Sequence, residues 1–130
     1  MMRKGGRMQT SEICQYALTF PAAKTDYKAE WGATRLLIDD KLFGMMGTDK
    51  SGKPILTVKL KPEDGDLLRE QYEAIVPGYY MNKLHWNSID LLANQVPDET
   101  MKMMIKTSYD LVLKGLTKKR QKEIADLALG

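Results

Sequence analysis

The densest chemistry in the chain lies between Pro77 and Asn87, in the run P-G-Y-Y-M-N-K-L-H-W-N. This run holds the single histidine, His85, together with Trp86, Tyr79, Tyr80, Asn82 and Lys83. Aromatic rings interleaved with a cation and amides can stack on bases and hydrogen-bond to them. The same residues can instead pack Trp86 into a core, with His85 and Asn82 bonding backbone groups. On either reading Lys83 and His85 are the exposed members. A second set is Arg35, Lys41, Lys59 and Lys61 along a hairpin edge, with Lys50 and Lys53 at a turn tip. Cations placed so can contact phosphates. They also protect sheet edges from pairing. A third set is Lys118, Lys119 and Arg120, just after Thr117, a candidate helix cap. Positive charge at that end of a helix opposes the dipole, a mild pointer to a role elsewhere, and the alternative is an ordinary solvated cluster.

Other chemistries are thinner. Gly47-Thr48-Asp49-Lys50-Ser51-Gly52-Lys53-Pro54 nearly spells a phosphate loop. The last position needs a hydroxyl and the motif needs a helix after it. Pro54 has no hydroxyl and Ile55-Leu56-Thr57-Val58 reads as a strand, so the run is expected to be a hairpin turn. Zinc sites draw on several Cys and His at set spacings. Cys14 and His85 are the only two such residues. Cys14 beside Ile13 reads as a buried, inert thiol. Glu63, Asp66, Glu70 and Glu73 recur with helical spacing. They form either a solvated stripe or a docking face for a basic partner or a hard cation. Asp39 and Asp40 are adjacent and point apart, which is poor geometry for paired acid–base work.

These residues need elements to position them. Residues 1–9 read as a mobile basic tail. Ile13, Tyr16, Ala17 and Phe20 make one helical face, with Thr10 or Ser11 as cap and Pro21 as stop. Strands are expected at 34–38, 42–48 and 54–61, joined by turns at Asp39-Asp40-Lys41 and Asp49–Gly52. In the third, Leu56, Val58 and Leu60 alternate with Ile55, Thr57, Lys59 and Lys61, which predicts one buried face and one wet, basic face. Pro62 opens a helix expected over 62–75, with Leu68, Tyr72 and Ile75 apolar. A short strand follows at 86–91, with Trp86, Ser88 and Asp90 on one side. Asp98 can cap a long helix ended by Gly115, and Thr117 a last helix to about Leu129. The order α-β-β-β-α-β-α-α predicts one α+β domain over 10–130, a mostly antiparallel sheet with helices on one face.

The chain has 130 residues, 43% hydrophobic and 28% charged, enough to bury one core. No apolar run has the length of a membrane span. The basic start lacks the apolar stretch of a secretory signal. With one cysteine, a reducing cytoplasm is expected. The net charge of +3 is unevenly spread. Residues 1–61 carry +5, residues 62–98 carry −5 and residues 99–130 carry +3. Such polarity can steer a charged partner if the charges also separate in space.

Several stretches resemble the YjbR/MmcQ family of small bacterial proteins. They are Trp31-Gly32-Ala33-Thr34, Leu42-Phe43-Gly44-Met45, Val58-Lys59-Leu60-Lys61-Pro62, Asn82-Lys83-Leu84-His85-Trp86 and Ser108-Tyr109-Asp110-Leu111-Val112. The N-K-x-H-W block is the specific one. The resemblance spans about residues 10–128. It implies a frataxin-like architecture and a doubled-wing arrangement suggestive of DNA binding, for a family without an established activity. Leu36 and Arg35 stand where many members have an aromatic and a lysine.

The expectation is therefore a cytoplasmic binding module, monomeric or weakly dimeric, without catalysis, cofactor, metal or membrane attachment. Its leading candidate partner is DNA, contacted through Arg35, Lys41, Lys59, Lys61, Asn82, Lys83 and His85. The alternatives are a protein partner on the acidic 62–75 helix, or weak cation binding by frataxin analogy.

Overall fold

The computed structural model describes residues 8–78 and 81–129. Its elements are α1 (Thr10–Ala17), β1 (Ala23–Lys28), β2 (Ala33–Ile38), β3 (Lys41–Thr48), β4 (Pro54–Lys59), α2 (Pro62–Gln71), β5 (Ile75–Pro77), β6 (Trp86–Asp90), α3 (Asp98–Lys114) and α4 (Lys118–Leu129). The six strands form one antiparallel sheet in the order β1-β2-β3-β4-β6-β5. This is a single α+β domain, as the element pattern predicts. Helix α3 crosses β2, β3 and β4, while α1 rests on β1 and α3.

Alternation along the strands sorts side chains onto two faces. Leu36, Ile38, Met46, Leu56, Val58, Ile75 and Ile89 join Ile13, Met104, Ile105 and Ile124 in one core under the helices. Phe20, Phe43 and Tyr109 pack edge and tilt against one another there, with ring centroids 4.8–6.3 Å apart. Burial raises the Tyr109 phenol above its ordinary range, and its hydroxyl donates to the Pro21 carbonyl at 2.7 Å.

Several boundaries differ from the sequence reading. Ala23–Lys28 is a strand that carries little strand propensity of its own, since Lys24, Asp26 and Lys28 are poor formers. It exists through full pairing with β2, from Ala23 opposite Ile38 to Lys28 opposite Ala33. Helix α2 stops at Gln71, short of 75, because Ile75 pairs with Ile89 in β5 instead. Glu73 therefore leaves the helical acidic stripe. The packed body begins before Thr10: Met8 is buried in the core, and the Gln9 amide donates to Glu12 at 2.8 Å. The rest of the expected tail, residues 1–7, lies outside the described residues. Pro97, not Asp98, precedes the first turn of α3. Thr117 does cap α4, accepting from the Arg120 amide at 3.1 Å.

Both hairpin turns have clear local causes. Asp39 and Asp40 sit at φ of 50° and 63°, the left-handed pair that a two-residue hairpin turn requires. At 49–53 the Asp49 carboxylate accepts from the Ser51 amide, the Ser51 hydroxyl and the Lys53 amide at 2.7–3.0 Å. Gly52 takes φ of 87° there. The near-match to a phosphate loop is thus an ordinary strand–turn–strand.

Strand β3 carries one extra residue: Leu36 pairs with Gly44 but Leu37 with Leu42, so Phe43 bulges. The bulge lets Phe43 join the core. It also separates the Phe43 carbonyl from β4, and the Ser108 hydroxyl of α3 fills the gap. That hydroxyl donates to the Phe43 carbonyl at 2.5 Å and accepts from the Lys59 amide at 2.8 Å.

Candidate functional site

No helix covers the second face of the sheet among the described residues. Register places its side chains in three rows across the strands. The first row runs Lys24, Leu37, Leu42 across β1 to β3 and resumes beyond the bulge with Lys59 and Trp86. The second runs Asp26, Arg35, Met45, Thr57, Ser88, Val76. The third runs Lys28, Ala33, Gly47, Ile55, Asp90.

The sequence reading makes this face of β4 wet and basic. It is basic only at its end. Ile55 and Thr57 are buried, and the Thr57 and Ser88 hydroxyls meet at 2.8 Å. Ala33, Leu37 and Ile55 are buried yet stand apart from the core under the helices. Ala33 and Ile55 line a groove of about 510 Å³ together with Trp31, Leu42, Met45, Gly47, Thr48 and Met81. Trp31 comes from the β1–β2 turn and Met81 from the segment between β5 and β6, so two loops wall a floor of three strands.

Trp31 is 56% exposed, a large apolar surface left in water. Lys28 Nζ lies 5.3 Å and the Arg35 guanidinium 5.7 Å from its ring. Arg35 does not project freely from the sheet. Its Nε and Nη2 donate to the two Asp26 oxygens at 2.7 and 2.5 Å. This pairing holds the Asp26 carboxyl below its ordinary range. Arg35 therefore fixes the wall around Trp31.

The N-K-x-H-W block builds the return of the chain into β6. The Asn82 side chain accepts from the Leu84 amide at 2.8 Å, and its carbonyl accepts from the Trp86 amide at 3.0 Å. Lys83 Nζ donates to the Gly78 carbonyl at 3.0 Å. The His85 carbonyl accepts from the Leu60 amide at 2.8 Å, tying the block to the end of β4. Gly78 must lack a side chain, since a Cβ there would stand 2.8 Å from the Trp86 Cβ and 3.0 Å from its backbone. Tyr79 and Tyr80 lie outside the described residues.

Topology gathers some of the expected cations and separates others. Lys24, Lys41 and Lys59 share one end of the sheet, because β1 begins, β3 begins and β4 ends there. Lys61 follows at the start of α2, and Asn82, Lys83 and His85 close the same end through the Leu60–His85 bond. Lys50 and Lys53 sit at the opposite end. Arg120 is engaged locally: its Nε and Nη2 donate to Asp39 at 2.7 and 2.9 Å, and it pairs with Glu123.

The residues missed in the sequence are Trp31, Met81, Lys24 and Lys28. Trp31 carried a signal: a tryptophan directly before Gly32, which turns at φ of 61°. Cys14 is half-buried with its thiol pushed up by burial, consistent with an inert role. Among the described residues no three His, Cys, Asp or Glu are grouped to hold a metal ion. Nor is any helix among them long and apolar enough to cross a membrane.

Comparison with known proteins agrees with this architecture. A protein of Deinococcus radiodurans with a DUF419 domain superposes with a TM-score of 0.81 at 24% identity, over 92% of this chain and 89% of its own. A Pseudomonas syringae protein superposes at 0.67 with 23% identity, over 80% and 98%. In sequence, the uncharacterised Escherichia coli protein YjbR is 29% identical over 92% of this chain and its own whole length. The uncharacterised Bacillus subtilis protein YyaQ is 36% identical over 67% of this chain and 70% of its own. The YjbR family model matches residues 18–111, and with the fold and these relatives it places the chain in the YjbR family.

Proposed function

We propose that this protein is a non-catalytic nucleic-acid-binding module that uses the helix-free face of its sheet. The observation that carries this reading is an apolar groove with an exposed tryptophan at one end and lysines at the other. Trp31 offers a stacking surface. Lys24, Lys41, Lys59 and Lys61 offer phosphate contacts within one end of the sheet. Lys28, whose Nζ also lies 3.8 Å from Glu30, stands beside Trp31 at the other end of the groove. Asn82, Lys83 and His85 shape the loop behind the lysines, so their contribution is to position that rim.

The test is a polarisation titration of a labelled oligodeoxynucleotide at about 50 mM salt, where phosphate contacts are strong. The double reversal Lys24→Glu with Lys61→Glu changes two exposed side chains and should weaken binding at least about tenfold. Absence of binding by the unaltered protein at that salt rejects the proposal.

A further inference from the structure

Resting on that reading, we infer that the groove selects single strands by accepting an unpaired base against Trp31 and Met81. The argument is one of shape and charge together. The floor is three strands wide, or about 10 Å, and Leu42 to Gly47 runs about 17 Å along β3. Apart from the Thr48 hydroxyl and the Trp31 indole N–H, its lining of Ala33, Leu42, Met45, Gly47, Ile55 and Met81 carries no polar side chain. A duplex presents charged phosphates outward and keeps its base faces stacked inside, so it has nothing to place on such a floor. A single strand presents apolar base faces and anionic phosphates on the same chain. Bases then meet Trp31 and the groove while phosphates meet Lys28 at one end and Lys24 and Lys59 at the other. An anionic amphiphile with one acyl chain would match the groove and a single basic group. It would leave the opposite basic end without a role.

Gly47 makes the inference testable. It lies on the groove floor, and a Cβ built there meets its neighbours at ordinary contact distances of 3.5–3.9 Å. Gly47→Val therefore fills the floor with a good strand former and leaves the backbone unstrained. Circular dichroism and thermal melting verify that the variant is folded. Polarisation titrations compare a labelled oligothymidylate with a labelled duplex of equal length. The expected result is that the unaltered protein prefers the single strand by about tenfold or more. Gly47→Val should abolish that preference without weakening the duplex. In a Trp86→Phe background, oligothymidylate should also quench Trp31 fluorescence. Equal binding of both forms, unchanged by Gly47→Val, overturns the inference and leaves nucleic-acid binding standing. Binding of neither form overturns both. Displacement of a groove-bound apolar dye by a medium-chain fatty acid but not by oligothymidylate overturns the inference in favour of an amphiphile.

Discussion

Ser108 is a single hydroxyl on which the bulge in β3 depends. It replaces a missing ladder bond by linking the Phe43 carbonyl to the Lys59 amide, and it is fully buried. Ser108→Ala leaves both backbone groups without that partner in a site closed to water. The expected cost is about 1–3 kcal/mol, read as a lower midpoint in urea unfolding with an unchanged slope. A midpoint equal to that of the unaltered protein would show that the bulge holds without it. In the sequence Ser108 shows only as one position of a helical period and the start of a stretch that resembles a family. Nothing local marks its partner, which lies 65 residues away across the sheet.

At the scale of elements, the β2–β3 turn is fastened to α4. Both Asp39 oxygens accept from Arg120, and this bond holds the Asp39 carboxyl below its ordinary range. A carboxyl lowered in the folded state stabilises the fold above its unfolded value. That contribution is lost as pH falls from the ordinary aspartate range through the lowered one. Arg120→Gln should thus reduce the melting temperature at neutral pH and leave it nearly unchanged in strong acid. Parallel melting curves at all pH values would reject the coupling. The sequence reading places Lys118, Lys119 and Arg120 against the helix dipole and leaves them as either a solvated cluster or groups with work elsewhere. For Arg120 that work is this tie to Asp39. The two strands missed in the sequence, Ala23–Lys28 and Ile75–Pro77, share one cause. Each is held by its neighbour's backbone, which no local propensity encodes.

For the whole molecule, the proposed interface predicts a defined response to salt. If Lys24, Lys41, Lys59 and Lys61 each neutralise one phosphate, log K against log salt should fall with a slope of about −3 for single strands. A slope near zero would reject phosphate contact by these lysines. By itself the sequence determined the α+β class, most helices and strands, the hairpin turns and the N-K-x-H-W block. The elements rest on periodicity, turn chemistry or capping, which act over a few residues, and the N-K-x-H-W block rests on resemblance to a family. Only tertiary structure decided which cations stand together and which are bound to carboxylates. It also decided that Trp31 and Met81, 50 positions apart, wall one groove. Strand order and register set those neighbours, and register follows from how the buried faces of all six strands fit at once.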